Sequence, residues 1–128
     1  MSQDTIIKIL IVDDEKPILE ILSEVLDRIG ADVYTAMNGE EGFNIYLKER
    51  PQIVITDIYM PIVNGLRLLS KIKKISPDTP VILITGYAHY RQLISDAKVK
   101  PDGFLEKPFD LRKIIELVLH YFPQLAKP

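Results

Sequence analysis

The residue types best suited to chemistry stand where apolar runs of this sequence end. Carboxylates follow or close two of these runs, a hydroxyl closes a third, and an ammonium group follows a fourth. These residues are Asp13 and Asp14 after residues 6–12, Asp57 at the end of 53–57, Thr85 at the end of 80–85, and Lys107 after 103–106. Each type has an ordinary structural use, such as a helix cap or a turn. Their recurrence at the ends of separate runs nevertheless favours one shared site.

Apolar runs and helical periodicity together predict an alternation of five strands and five helices. The strands are short and rich in β-branched residues, and the helices carry apolar residues at spacings of three and four. The predicted strands are residues 6–12, 32–36, 53–57, 80–85 and 103–106, and the predicted helices are 17–29, 39–50, 66–75, 90–97 and 111–122. Strands that alternate with helices pair in parallel. The sequence therefore predicts a three-layer, doubly wound α/β fold.

A parallel sheet places the carboxyl ends of its strands at one edge, so the polar residues should converge there. Three carboxylates held together repel each other by roughly 4 kcal/mol per pair at a separation of about 4 Å. Lys107 supplies one compensating charge, and oxygen ligands in a chain without Cys favour Mg²⁺ over Zn²⁺. Mg²⁺, an ammonium and a hydroxyl together suit phosphoryl oxygens. Since no glycine-rich phosphate loop is found in the sequence, a carboxylate is the remaining candidate acceptor of a phosphoryl group.

Length and composition restrict the class of protein. The chain has 128 residues, of which 47% are hydrophobic and 27% charged, with a net charge of −2. We expect one domain over 1–128, with a core over about 6–122 and a tail or linker start over 123–128. The slightly acidic charge argues against direct nucleic-acid binding. The first residues do not resemble a signal peptide and no apolar run reaches about 20 residues, so we expect a cytoplasmic chain without a membrane segment.

The ordered set of motifs resembles the receiver domains of response regulators. The resemblance rests on Asp13-Asp14, Asp57-Ile58-Tyr59-Met60-Pro61, Asn64-Gly65, Thr85-Gly86 and Lys107-Pro108-Phe109. The spacings also agree, with 28 positions from Asp57 to Thr85 and 22 from Thr85 to Lys107. The resemblance extends from about Lys8 to Phe122. It implies a flavodoxin-like (βα)5 domain whose strands have the order 2-1-3-4-5.

The resemblance also implies a role for each residue of the set. Asp57 would accept a phosphoryl group from a phosphohistidine on a sensor kinase or phosphotransfer protein of a two-component phosphorelay. Asp14 would bind Mg²⁺ or Mn²⁺ directly, and Asp13 would do so mostly through water. Asp57 and the backbone carbonyl of Tyr59 would add further metal ligands. Thr85 would hydrogen-bond a phosphoryl oxygen and move inward on activation.

Further expectations concern the lysine and the output surface. Lys107 would pair with the acyl phosphate, and its peptide bond to Pro108 would be cis. The surface that changes would consist of helix 4, strand 5 and helix 5, and it is also a candidate surface for a homodimer. The only chemistry expected is self-phosphorylation from a phosphodonor and self-dephosphorylation, so the chain would not be an enzyme with a separate substrate.

Two features of this chain differ from what is common in the family. Phe104 stands at the position of the switch aromatic, which is often Tyr. It is interpreted either as a ring that rotates between exposed and buried states by packing alone, or as ordinary strand core. Tyr59 and Tyr87 stand two residues after Asp57 and Thr85, where they flank the path of the attacking water. Two bulky rings there predict slow loss of the phosphoryl group, and the alternative is that both are amphipathic rim residues.

Two other functions are kept as alternatives. An aspartyl-phosphate phosphohydrolase of the haloacid-dehalogenase type needs a second Asp two residues after the nucleophile, where this chain has Tyr59. A receiver-like interaction module that works without phosphorylation is expected to lack the acceptor, the acidic pair or the lysine, and this chain has all of them. The residues therefore favour the signalling switch.

Overall fold

The edge at which the polar residues converge belongs to a five-stranded sheet. The computed structural model describes residues 6–86 and 90–125. The elements within these ranges are β1 (Lys8–Val12), α1 (Lys16–Arg28), β2 (Asp32–Ala36), α2 (Gly39–Glu49), β3 (Ile53–Asp57), α3 (Gly65–Ile75), β4 (Val81–Thr85), α4 (Tyr90–Asp96), β5 (Gly103–Glu106) and α5 (Leu111–Tyr121). None of the helices in these ranges is long and apolar enough to cross a membrane. The predicted alternation of strands and helices is confirmed.

The sheet has the strand order β2-β1-β3-β4-β5, and all four neighbouring pairs are parallel. The central strand β3 is buried at all five positions. It aligns Asp57 with Ile84 of β4, and the N–H of Ile58 donates to the carbonyl of Ile84 at 3.1 Å. The ends of β1, β3 and β4 consequently lie at one edge, as the predicted fold requires.

Two apolar layers enclose the sheet. In β1, Ile9 and Ile11 belong to a buried cluster that includes residues of α1 and α5. Leu10 and Val12 belong to a second cluster that includes residues of α2 and α3. The central strands are covered on both faces. Their sequences are therefore continuous apolar runs in which polar and apolar residues do not alternate. The predicted three-layer architecture follows directly from this double burial.

Side-chain caps define where several helices begin. Asn38 and Asn64 each accept a hydrogen bond from the backbone N–H three residues on, at 2.8 and 2.9 Å. Asp110 accepts from the N–H of Arg112 at 2.9 Å, which confirms the cap predicted for the last helix. Short polar side chains stabilise a helix start in this way because its first N–H groups have no partner inside the helix.

The packed chain extends further than the sequence predicts. Leu125 is 8% exposed and belongs to the cluster that contains residues of α1 and α5. Its N–H donates to the carbonyl of Phe122 at 3.1 Å, which turns the chain back after α5. Leu125 therefore packs beyond the core predicted over about 6–122. A single apolar residue among polar ones produces no periodic pattern from which this contact can be predicted.

The loop between β3 and α3 contains a strained residue, Ile62, whose φ is 71°. A side chain with a Cβ costs about 1–2 kcal/mol in this left-handed region. The side chain is also 72% exposed, so packing recovers little of that cost. We expect Ile62→Gly to increase the free energy of unfolding by about 0.5–1 kcal/mol, after allowing for the entropy that glycine loses on folding. Urea unfolding measures this change.

The matched control is Met37→Gly, at an exposed loop residue whose φ is not positive. It carries the entropy cost of glycine without relieving strain, so it should lower the free energy of unfolding. Similar losses of stability in both variants would contradict the strain at Ile62.

Candidate functional site

Asp13 follows β1 and is completely buried. Its N–H donates to the carbonyl of Ala36 at 3.0 Å, which holds the residue between β1 and β2. Its Oδ1 accepts from the N–H of Glu15 at 2.8 Å and so fixes the chain just before α1. Its Oδ2 lies 2.9 Å from Nζ of Lys107. The sequence leaves two alternatives for Asp13, a role at the start of a helix or a role in a shared site. The carboxylate of Asp13 makes both kinds of contact.

Asp57 ends β3 and is 4% exposed. Its Oδ2 accepts a hydrogen bond from Nζ of Lys107 at 3.1 Å. Its Oδ1 is buried and has no hydrogen-bond partner in residues 6–86 and 90–125. Burial raises the pKa of Asp57; Lys107 opposes this, and the charge of Asp13 adds to it. A buried oxygen without a partner costs about 1–3 kcal/mol, so this atom is suited to a cation or a covalent partner.

Lys107 places its ammonium among three carboxylates. Nζ lies 2.7 Å from Oε1 of Glu15, 2.9 Å from Oδ2 of Asp13 and 3.1 Å from Oδ2 of Asp57. The lysine side chain is only 14% exposed. Burial lowers the pKa of Lys107, but the three carboxylates outweigh this effect and hold the pKa well above its usual range. The lysine is therefore a charged member of the site and not a solvated loop residue.

Thr85 ends β4 and is completely buried beside the lysine. Its carbonyl accepts from the backbone N–H of Lys107 at 2.7 Å, which ties the end of β4 to the residue after β5. The peptide bond between Lys107 and Pro108 is cis, the conformation that the resemblance implies. Thr85 and Lys107 thus stand side by side at the ends of adjacent strands.

The acidic residues form a group that fits a divalent cation. Carboxylate oxygens of Asp13, Asp14, Glu15 and Asp57 all lie within 4.8 Å of one another. Asp13 and Asp57 are buried, whereas Asp14 and Glu15 are exposed. One ammonium is too little charge for four carboxylates, and Oδ1 of Asp57 has no partner among the described residues. Oxygen ligands with this excess of negative charge are typical of Mg²⁺ sites.

The structure describes Phe104 and Tyr59, two of the three aromatic residues that the sequence analysis singles out. Phe104 is 39% exposed on β5, which does not fit ordinary strand core, and its rotation as a switch stays a prediction. Tyr59 is half-buried and packs against the cluster of α2 and α3. Tyr87 lies outside the described residues, and the pair of flanking rings stays a prediction.

Glu15 is the site residue that the sequence reasoning missed. Glu15 stands directly after Asp13 and Asp14, and the sequence pattern indicates no separate role for it. Its contact with Lys107 spans 92 positions of the chain. The only available signal was the third consecutive acidic residue, which ordinarily indicates nothing more than a favourable helix start.

The fold and this edge define the class of doubly wound α/β domains with an acidic pocket at the carboxyl ends of their strands. The family profile described as "Response regulator receiver domain" matches residues 9–119. The chain belongs to this family, which confirms the resemblance read from the motifs. Members of the family act in two-component systems, where a phosphorylation-activated switch is their standard function.

Curated relatives include proteins of two different lengths. The chain is 34% identical over 116 residues to sporulation initiation phosphotransferase F of Bacillus subtilis, covering 91% of this chain and 94% of that protein. It is 38% identical over 107 residues to a probable transcriptional regulator, ycf27, of Guillardia theta, covering 84% of this chain and 42% of that protein. The chain therefore spans less than half the length of the ycf27 relatives.

Solved structures agree with the family. A receiver domain protein from Clostridium thermocellum superposes with a TM-score of 0.83 at 31% identity, covering 93% of this chain and 96% of that chain. A CheY-like receiver domain protein from Methanospirillum hungatei JF-1 superposes with a TM-score of 0.85 at 28% identity, covering 94% and 96%. These similarities extend over nearly the whole length of each chain.

The pKa shifts predict a pH-dependent stability in the absence of metal. Burial raises the pKa of both Asp13 and Asp57. Their favourable contribution is therefore fully present below about pH 4, near the pKa of an unfolded Asp, and is lost as the pH rises through the raised folded-state values. We expect Asp57→Asn in a chelator to increase the free energy of unfolding by about 1–3 kcal/mol at about pH 7, with the gain shrinking toward about pH 4.

Chemical denaturation across this pH range measures the effect, with Asp27→Asn as the control. Asp27 is an exposed residue of α1, so its replacement should leave the pH profile almost unchanged. A gain for Asp57→Asn that is the same at every pH would contradict the electrostatic explanation.

Proposed function

We propose that this chain is a phosphorylation-activated switch of a two-component phosphorelay and that Asp57 accepts the phosphoryl group. The observation that carries the proposal is the state of Asp57. One of its oxygens is buried and has no partner among the described residues, and the other bonds to Lys107. The residue also belongs to the acidic group that fits a cation. Such an oxygen is protected from bulk water and still free to form a bond.

In the proposed step, a carboxylate oxygen of Asp57 attacks the phosphorus of a phosphohistidine. One O–P bond forms while the P–N bond to the donor imidazole breaks, and the imidazole nitrogen keeps the electron pair of that bond. Acetyl phosphate serves equally, because its P–O bond breaks and acetate leaves. Nζ of Lys107, 3.1 Å from Oδ2 of Asp57, stabilises the negative charge of the phosphoryl oxygens.

Mg²⁺ or Mn²⁺ would be held by Asp13, Asp14, Asp57 and the backbone carbonyl of Tyr59. When bound, the cation neutralises charge on the carboxylates and on the phosphoryl oxygens. Asp14 is exposed and has room for direct contact. Asp13 already directs one oxygen to the N–H of Glu15 and the other to Lys107. A water-mediated role for Asp13 is consistent with these two contacts.

The switch would transmit phosphorylation from the edge of the sheet to α4, β5 and α5. Modification of Asp57 adds about one negative charge and strong acceptor oxygens. Thr85 and Lys107 are joined by a backbone hydrogen bond of 2.7 Å, so movement of either toward the phosphoryl group affects β5. Phe104 on that strand is 39% exposed here, and activation would bury it by packing alone.

The energy required is modest. A shift of population from 1:99 to 99:1 needs roughly 5.5 kcal/mol of differential affinity. A few charge-assisted hydrogen bonds from Thr85 and Lys107 to phosphoryl oxygens supply an amount of that order. No large rearrangement of the core is needed.

The partner that supplies the phosphoryl group would be a sensor histidine kinase or a phosphotransfer protein, as is general for receiver domains.

Residues 1–128 would act as a single receiver unit, either alone or as one part of a longer protein. One relative of nearly the same length is a phosphotransferase, whereas the match covers only 42% of the ycf27 relative from Guillardia theta. A homodimer would use the surface of α4, β5 and α5, where Phe104, Leu105 and Leu117 line a cavity of about 330 Å³.

Incubation with acetyl phosphate and Mg²⁺, followed by intact-mass analysis, tests the proposal. We expect the protein to gain one phosphoryl group, and no gain when a chelator removes Mg²⁺. Asp57→Asn should gain none, because it lacks the attacking oxygen. Asp78→Asn, at an exposed residue next to the cavity at the opposite edge of the sheet, should behave as wild type. A wild type that gains nothing, or a gain that survives Asp57→Asn, would show that the proposal is wrong.

The rings of Tyr59 and Tyr87 lead to a prediction about the lifetime of the phosphoryl group on Asp57. If the rings of Tyr59 and Tyr87 hinder the attacking water, then Tyr59→Ala together with Tyr87→Ala should speed dephosphorylation several-fold. The measurement is the decay of the phosphorylated mass after the phosphodonor is removed. Tyr59→Phe keeps the ring and serves as the control. An unchanged decay rate in the double variant would exclude this role of the rings.

A further inference from the structure

The shortest contact of Lys107 is with Glu15, a residue that has no part in the function proposed so far. Nζ of Lys107 donates to Oε1 of Glu15 at 2.7 Å, compared with 3.1 Å for its bond to Oδ2 of Asp57. The residue stands just before α1, where its backbone is fixed by Oδ1 of Asp13 at 2.8 Å. The carboxylate of Glu15 therefore reaches the lysine from an anchored position.

The ammonium of Lys107 is surrounded by carboxylates in this state and donates hydrogen bonds to two of them, Glu15 and Asp57. It has three N–H groups, and three carboxylates surround it within 3.1 Å. A phosphoryl group on Asp57 brings additional oxygens, each of which is a strong acceptor. Because these oxygens enter a space that three carboxylates already occupy, a bond from Lys107 to one of them competes with the contacts that Lys107 now makes.

Burial decides which carboxylate is released. The side chain of Asp13 is 0% exposed and that of Asp57 is 6% exposed, so neither can exchange the ammonium for water. The side chain of Glu15 is 59% exposed. Water can solvate this carboxylate as soon as the lysine leaves, so its release costs the least of the three.

We propose that Glu15 is a positioning residue that occupies Lys107 in the unphosphorylated protein and releases it to the phosphoryl group on Asp57. This inference rests on the proposed function of Asp57. Glu15 competes with the phosphoryl oxygens for the same ammonium, and it thereby weakens the hold of the site on the phosphoryl group. It also keeps the lysine from moving into solvent while no phosphoryl group is present.

Glu15→Gln tests this competition, with beryllofluoride as a stable mimic of the phosphoryl group on Asp57. The substitution removes the charge and keeps the size of the side chain. At saturating Mg²⁺ we expect the apparent dissociation constant for beryllofluoride to fall about two- to fivefold, the range that corresponds to a partly exposed ion pair. Binding is followed by NMR titration, and the affinity for Mg²⁺ is measured separately because the variant also removes a negative charge near the metal ligands.

A spectroscopic measurement on the wild type tests the release directly. When beryllofluoride binds, the ¹³C signal of the Glu15 carboxylate should move toward that of a solvated glutamate. The ¹⁵N signal of the Lys107 ammonium should move in the same titration. A structural role for Glu15 at the start of α1 predicts no movement of its carboxylate signal.

Glu20→Gln is the matched control, since it removes one charge from an exposed glutamate of α1. It should leave the affinity for beryllofluoride unchanged. Equal or weaker binding in Glu15→Gln, or a Glu15 signal that does not respond, would overturn the inference while leaving the acceptor role of Asp57 intact. A wild type that binds no beryllofluoride would overturn the proposed function as well.

Discussion

The carboxyl edge of this sheet gathers more negative charge than the described residues of the protein neutralise. Four carboxylates approach within 4.8 Å of one another, and one ammonium lies among three of them. Among the described residues, two buried oxygens have no hydrogen-bond partner: Oδ1 of Asp57, and Oδ2 of Asp13, which lies 2.9 Å from Nζ of Lys107. The folded chain tolerates this cost because the two apolar layers hold the strands in place. The same imbalance creates the capacity for a cation and for a phosphoryl group.

The surroundings of Asp57 are rigid where the acceptor must be fixed. β3 is buried on both faces, and the loop after it folds back tightly, with the N–H of Gly65 donating to the carbonyl of Ile58 at 2.8 Å. A Cβ at Gly65 would collide with the backbone carbonyl of Asp57, so only glycine permits this approach. By contrast, β5 at the sheet edge alternates half-buried and exposed residues. Asp57 is thus held rigidly, whereas β5 is less enclosed. A change of charge at Asp57 can therefore move the surface that β5 forms.

Burial also divides the acidic residues by task. Asp13 and Asp57 are enclosed, so water does not readily replace the ammonium of Lys107 beside them. Asp14 and Glu15 face solvent and can exchange partners at little cost. Acidic residues at adjacent positions therefore differ in whether burial fixes their contacts or solvent allows those contacts to be exchanged.

The amino-acid sequence determined the positions of strands and helices and the set of polar residues at the strand ends. β-Branched runs and helical periodicity report local backbone preference and burial, and these were sufficient to predict a parallel α/β sheet with Asp13, Asp57, Thr85 and Lys107 at one edge. The strand order came from the family resemblance. Only the tertiary structure decided that Glu15 pairs with Lys107, that Phe104 is exposed and that Leu125 joins the core. Contacts between segments as far apart as 92 positions depend on packed geometry, which no local pattern encodes.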